Sequence, residues 1–114
     1  MSVLVVDDND DLRMLIKLIL SEFEIIEARN GLEAIELFRN HNPNLILMDI
    51  LMPEMDGIEA TREILSINPS TLIVAITAYS SRAHEILDAG AKEVLKKPVR
   101  NKELLSKVRY YLNK

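Results

Sequence analysis

Four short aliphatic runs, each followed by a polar residue, constrain the fold of this chain more than any other feature. The runs cover residues 3–6, 45–48, 72–76 and 94–95. Short apolar runs separated by helical patterns are typical of parallel strands that are buried on both faces of a sheet. A less apolar run at residues 25–28, beside acidic positions, predicts a fifth strand at an edge of the sheet. The sequence therefore predicts an α/β fold with a doubly wound parallel sheet.

Helix signals fill the intervals between the predicted strands. Asn30 is the predicted cap of the second helix, with Glu33 in the position of a capping box, and the third helix is predicted over about residues 58–67. The short fourth helix ends at Gly90, which suits a left-handed cap, and Asn101 is the predicted cap of the fifth. The apolar stripe of the first helix comprises Leu12, Ile16, Ile19 and Phe23.

Composition and charge exclude several classes of protein. The chain has 114 residues, 48% of them hydrophobic and 4% aromatic, so we expect one domain over residues 1–114 with one aliphatic core. A net charge of −4 without clustered basic residues argues against direct nucleic-acid binding. No apolar stretch reaches the length of a membrane span and no secretion leader is visible, so we expect a cytoplasmic protein without a membrane partner. The absence of cysteine excludes disulfides and thiolate metal sites.

Reactive or ligand-binding side chains lie where the predicted strands end. Asp7 and Asp8 follow the first strand, Asp49 follows the third, Thr77 the fourth and Lys97 the fifth. Because ligands bind beyond the carboxyl ends of the strands in such sheets, we expect three carboxylates, a hydroxyl and an ammonium group at one edge. Two carboxylates 4 Å apart repel each other by roughly 4 kcal/mol at an effective dielectric of about 20, so the pair needs a cation. Mg²⁺ is the natural candidate, since it is commonly held by carboxylates, water and a phosphate oxygen.

Each of these residues also has an ordinary structural explanation when taken alone. Paired acids suit the start of a helix, and an isolated aspartate such as Asp49 is often a loop acid or a helix cap. A threonine commonly completes a strand, and most lysines are solvated at the surface. Pro98 distinguishes Lys97 from its neighbour, because a cis X-Pro bond would fix the direction of the lysine side chain.

Only the combination of the strand-end residues predicts a reaction. An aspartate nucleophile attacks a phosphorus atom, a divalent cation and a lysine neutralise the phosphoryl oxygens, and a threonine hydroxyl donates a hydrogen bond. The expected product is an aspartyl phosphate.

The combination resembles the signature segments of two-component response-regulator receiver domains, the family of the stand-alone chemotaxis regulator. The resemblance covers the whole chain and rests on residues 5–8 (VVDD), 47–57 (LMDILMPEMDG), 76–78 (ITA) and 97–98 (KP). It implies a flavodoxin-like sheet of five parallel strands in the order 2-1-3-4-5 with helices on both faces. It also implies that the chain takes part in phosphorelay signal transduction.

The resemblance assigns the acidic residues to phosphorylation and to metal binding. It implies that Asp49 is the phosphoacceptor and that Asp8, Asp49 and the backbone carbonyl of Leu51 hold Mg²⁺. The resemblance also implies that Asp7 acts on the metal mainly through water.

The resemblance also assigns the groups that bind the phosphoryl group and transmit the signal. It implies that Thr77 and Lys97 bind the phosphoryl oxygens and that the Lys97-Pro98 peptide bond is cis. Receiver domains commonly carry Tyr or Phe three residues before this lysine, whereas this chain has Val94. A valine offers no ring that swings inward with Thr77, so we expect the switch to depend more on the loop after Thr77, where Tyr79 offers aromatic surface.

The expected partners follow from the same resemblance. A histidine kinase or a phosphotransfer protein would donate the phosphoryl group, and the modified surface around the fourth helix and fifth strand would bind an output target of unknown identity. The chain would be a signalling receiver rather than an enzyme, although it assists its own phosphorylation and dephosphorylation. We expect a monomer or a weak dimer that depends on phosphorylation.

Two other functions use the same residues. A Mg²⁺-dependent phosphohydrolase of the haloacid-dehalogenase kind also has an aspartate nucleophile, but it needs a second acid two residues later, where this chain has Leu51. A pseudo-receiver would bind partners without phosphorylation. The presence of all the acids, the hydroxyl and the lysine argues against that alternative.

Overall fold

A computed structural model of the chain describes residues 1–78 and 80–113, and of Ser80 the backbone alone. Within these residues five parallel strands form one sheet in the order β2-β1-β3-β4-β5. Strands and helices alternate along the chain, and a short 3₁₀ turn at Ser80–Arg82 precedes α4. The strands are β1 (Ser2–Val6), β2 (Glu24–Ala28), β3 (Leu45–Met48), β4 (Ile73–Thr77) and β5 (Glu93–Lys96). The helices are α1 (Asp10–Ile19), α2 (Gly31–His41), α3 (Gly57–Ile67), α4 (Ala83–Ala89) and α5 (Asn101–Leu112). The predicted fold class and strand order are confirmed.

Two hydrophobic clusters cover the two faces of the sheet. Alternate residues of β1 divide between them: Leu4 and Val6 join the cluster beneath α2, α3 and α4, whereas Val3 and Val5 join the cluster beneath α1 and α5. Strands β1, β3 and β4 are buried on both faces, which explains why their sequences are continuously aliphatic. Each buried Val, Leu or Ile side chain contributes about 1.5–3 kcal/mol, so these three strands hold the sheet in place. Strand β2 is partly exposed and lies at an edge, as predicted.

Side chains cap the N-termini of three helices, α1, α2 and α3. Asn30 Oδ1 accepts a hydrogen bond from the Glu33 backbone N–H at 2.9 Å, as the capping-box pattern predicted. The Glu33 carboxylate, however, accepts from the backbone N–H of Arg29 rather than from that of Asn30. Asn9 and Asp56 cap α1 and α3 in the same way, through bonds from the backbone N–H groups three residues later.

Two local predictions about helix ends were wrong. Asn101 is the first helical residue of α5, and the cap position belongs to Arg100, whose side chain makes no capping hydrogen bond. Helix α1 ends at Ile19, so Phe23 lies in the turn before β2, where it still packs against the α1 and α5 cluster. Both differences arise because sequence periodicity locates an apolar face better than it locates the end of a helix. None of the helices in the described part of the chain has the length and apolar character required to cross a bilayer.

Candidate functional site

The candidate site lies at the carboxyl ends of β1, β3, β4 and β5, where the sheet hydrogen bonding continues for one residue beyond the strands. The backbone N–H of Asp49 donates to the carbonyl of Val6 at 2.9 Å. The backbone N–H of Lys97 donates to the carbonyl of Thr77 at 2.9 Å. The side chains that follow these strands therefore start from fixed backbone positions at one edge of the sheet.

Three carboxylates meet at this edge. One oxygen from each of Asp7, Asp8 and Asp49 lies within 4.8 Å of the others. Asp7 and Asp49 are buried, with 3% and 6% of their surface exposed, whereas Asp8 is exposed. Such a set of hard oxygen donors, open on one side, suits Mg²⁺, which keeps several waters and takes one or two carboxylates. The residues present therefore fit the metal that the sequence predicted.

Lys97 provides the cation that directly contacts the buried carboxylates. Its Nζ lies 2.8 Å from Asp7 Oδ2 and 3.2 Å from Asp49 Oδ2. Burial by itself lowers the pKa of Lys97, but the hydrogen bond to Asp7 and the charges of Asp49 and Asp7 outweigh it, so the net pKa is raised. The ammonium group thus stays charged, bridges the two carboxylates and offsets part of the repulsion between them.

Asp49 is held by two hydrogen bonds in a poorly solvated position. Its Oδ1 accepts from the backbone N–H of Ile50 at 2.8 Å, and its Oδ2 accepts from Lys97. Burial, together with the charge of Asp7, raises the pKa of the Asp49 carboxyl, and Lys97 and the Ile50 N–H oppose that rise. A further cation at this edge would favour the ionised, nucleophilic form of the same group.

Gly57 keeps α3 close to Asp49, a role that the sequence did not reveal. A Cβ at position 57 would lie 1.8 Å from the Asp49 carbonyl oxygen and 2.9 Å from the Met48 side chain. The Gly57 backbone N–H donates to the Ile50 carbonyl at 2.8 Å, which closes the loop between β3 and α3. In the sequence, the Asp56-Gly57 pair indicated only a turn, because the close approach is set by tertiary contacts.

The remaining predicted residues lie around this centre. Thr77 ends β4 and is fully buried, while Val94 in β5 is half-buried and packs against the cluster beneath α2, α3 and α4. The Lys97-Pro98 peptide bond is cis. Leu51 is 39% exposed in the loop after β3. Tyr79 lies outside the described residues.

Arg13 is a second residue that the sequence analysis missed. It lies in α1, where its neighbours Asp11, Leu12 and Met14 gave no sign of a buried position. The structure places its guanidinium group in the interior, in contact with the backbone of Asp7. An arginine in a helical pattern normally indicates a solvated face, so periodicity alone could not find it.

Comparisons with known proteins point to one family of domains. The family model described as the response regulator receiver domain matches residues 3–109. The chain is 40% identical to the chemotaxis protein CheY of Bacillus subtilis, with 97% of each protein covered, and 42% identical to CheY of Thermotoga maritima, with 84% of each covered. Among solved structures it is similar to a chain in the CheX-CheY-BeF₃-Mg²⁺ complex from Borrelia burgdorferi, with a TM-score of 0.90 and 30% identity. That alignment covers 96% of this chain and 87% of the other.

Proposed function

Because the chain belongs to the response regulator receiver domain family of two-component signalling, we propose that Asp49 is the residue that accepts the phosphoryl group. The observation that carries this assignment is the pair of contacts from Lys97 Nζ, at 2.8 Å to Asp7 and 3.2 Å to Asp49. They bring a cation from the residue after β5 onto the buried carboxylate that follows the central strand β3. Nothing in the site or in the comparisons favours a phosphohydrolase or a pseudo-receiver.

The proposed reaction transfers a phosphoryl group between two proteins. Asp49 Oδ attacks the phosphorus of a phosphohistidine, an O–P bond forms and the P–N bond breaks, with its electron pair going to the imidazole of the donor. Lys97 would move its hydrogen bond from Asp49 to a phosphoryl oxygen, and the Thr77 hydroxyl would donate to another. Both groups stabilise charge that grows on the phosphoryl oxygens during the transfer.

Receiver domains bind Mg²⁺ at an acidic pocket, and we propose that Asp8, Asp49 and the Leu51 backbone carbonyl hold it in this chain. Asp7, whose Oδ2 is already engaged by Lys97, would act on the metal mainly through water. When bound, Mg²⁺ supplies positive charge that neutralises the phosphoryl oxygens.

The proposed donor is a histidine kinase or a phosphotransfer protein in the cytoplasm, where the ATP that charges such donors is made. The added charge would draw Thr77 and the loop after it toward Asp49 and bias α4 and β5 between two arrangements. Val94 is small and packed against the core, so the proposed signal passes through the backbone after β4 rather than through a swinging ring.

Mass spectrometry of the intact protein tests the phosphoacceptor. Treatment with acetyl phosphate and Mg²⁺ should add one phosphoryl group to the wild type and none to Asp49→Asn. Asp11→Asn, which removes an exposed acid of α1 outside the cluster, is the matched control and should be labelled like the wild type. Undiminished labelling of Asp49→Asn would contradict the assignment.

A further inference from the structure

Arg13 is a buried cation with no part in the chemistry described above. It retains 7% exposure, less than any other lysine or arginine within residues 1–78 and 80–113. Burying a guanidinium group is costly unless its N–H groups find partners, so the identity of those partners indicates what the residue does.

The partners of Arg13 surround the segment that carries the paired acids. Its Nη1 donates to the backbone carbonyl of Asp7, its Nε donates to Glu27 Oε1 at 3.1 Å, and its Nη2 contacts Asp10 Oδ1. These groups belong to the residue after β1, to β2 and to the first turn of α1 respectively. The Asp7 backbone N–H donates to the Ala28 carbonyl of β2 at 3.0 Å. The backbone of Asp7 is therefore fixed on both sides, by β2 through its N–H and by Arg13 through its carbonyl.

The contacted carbonyl is part of the peptide that joins Asp7 to Asp8. This peptide sets how Asp8 is oriented relative to Asp7, because a change in the ψ angle of Asp7 turns its carbonyl and the Asp8 carboxylate together relative to the Asp7 side chain. Arg13 is itself neutralised by Asp10 and Glu27, and Lys97 is the cation on the buried carboxylates, so Arg13 adds little net charge to the pocket. Arg13 therefore acts on the pocket through the backbone that it holds in place and not through its charge.

We propose that Arg13 is a positioning residue that fixes the Asp7-Asp8 peptide and so sets the direction in which both carboxylates enter the acidic pocket. An arginine is required because its planar fork spreads donors over three nitrogens that reach three separate acceptors, whereas the three donors of a lysine ammonium all lie on one nitrogen. The inference rests on the proposed function insofar as the pocket binds Mg²⁺, but its test requires no phosphoryl transfer.

A purely structural role for Arg13 is the alternative, in which it only joins α1 to β2. The two roles differ in what a substitution does to the folded protein. A structural role lowers the free energy of unfolding and leaves Mg²⁺ affinity of the folded molecules unchanged. A positioning role weakens Mg²⁺ binding in molecules that remain folded.

The test is a titration of the full chain with Mg²⁺ alone, followed by the backbone amide NMR signals of Asp8 and Asn9. Arg13→Lys should bind Mg²⁺ about 10-fold more weakly than the wild type, the lower end of the effect seen when a group supporting a metal ligand is removed. The matched control is Arg39→Lys, which changes an exposed arginine of α2, and it should stay within about twofold of the wild type. Urea unfolding without Mg²⁺ establishes which variants are folded.

The outcomes separate this inference from the proposed function. If folded Arg13→Lys binds Mg²⁺ as tightly as Arg39→Lys does, Arg13 is not a positioning residue. If Arg13→Lys does not fold, Glu27→Ala replaces it, because it frees one side of the guanidinium while Arg13 stays in place, and unchanged Mg²⁺ affinity in that variant overturns the inference. A wild-type protein that binds no Mg²⁺ contradicts the proposed function instead.

Discussion

At the residue scale, the position of Asp49 depends on the absence of a side chain at Gly57. A Cβ there would stand 1.8 Å from the Asp49 carbonyl oxygen, a backbone atom that cannot rotate away. The adjacent Asp56 caps α3 through the Glu59 backbone N–H at 2.9 Å, so the start of the helix is held where the clash would occur. Any larger residue at position 57 must move either α3 or Asp49.

Gly57→Ala should therefore lower the free energy of unfolding by about 3 kcal/mol, at the upper end of the usual cost of overpacking. We expect reduced phosphorylation by acetyl phosphate in the same variant, because Asp49 is displaced. Urea unfolding measures the first effect, and intact mass measures the second. Glu59→Ala, at an exposed position of the same first turn, is the control and should stay within about 0.5 kcal/mol of the wild type. A Gly57→Ala protein as stable as this control would show that the loop adapts freely.

At the scale of the elements, β5 and α5 are joined by polar contacts as well as by the core. The Tyr111 hydroxyl of α5 donates to Glu93 Oε2, at the start of β5, and Lys107 Nζ lies 3.0 Å from Glu93 Oε1. Burial, assisted by the bond to Glu93, raises the pKa of Tyr111 to about 12. Burial by itself raises the pKa of Glu93, but the Tyr111 hydroxyl and Lys107 outweigh it and lower the net value.

The pH dependence of this contact follows from the sign of the Tyr111 shift. A folded pKa of about 12, above the ordinary 10.0, means that the contribution of Tyr111 to stability is fully present below pH 10 and is lost as the pH rises through 12.

Tyr111→Phe should lower the free energy of unfolding at neutral pH by about 1 kcal/mol, the net worth of one hydrogen bond. Ultraviolet titration should show that Tyr111 ionises at a pH above its ordinary pKa, and Glu93→Gln should move that transition to lower pH. An unchanged transition in Glu93→Gln would contradict the contact.

The elements also show why some features could be predicted from the sequence and others could not. The strands and the residues that end them were predictable because burial on both faces leaves a continuous aliphatic signal that stops at the sheet edge. The buried Arg13 and the close approach at Gly57 were not, since both depend on contacts between distant segments. The cap of α5 was misplaced by one residue because Asn101 has the right chemistry, although Arg100 occupies the cap position without a capping bond.

At the scale of the whole molecule, the parallel sheet gathers like charges from distant parts of the chain. Lys97 contacts Asp7 across 90 residues of sequence, and Asp49 across 48. Three carboxylates share the pocket with the ammonium group of Lys97, so the negative charges there outnumber the positive charge by two when all three acids are ionised. The fold concentrates this repulsion at one edge, so a divalent cation bound there should stabilise the entire domain.

Adding Mg²⁺ at ten times its dissociation constant should therefore raise the free energy of unfolding by about 1.4 kcal/mol, because the ion binds the folded state only. Asp8→Asn should lose this increment, since it removes a proposed metal ligand, and it should be more stable than the wild type without Mg²⁺ because the repulsion is relieved. Asp11→Asn is the matched control, an exposed acid of α1 outside the cluster that should retain the full increment. Urea unfolding with Mg²⁺ and with EDTA measures both effects. Equal Mg²⁺ increments in the two variants would place the ion elsewhere, whereas a destabilised Asp8→Asn in EDTA would show that the pocket is not held under repulsion.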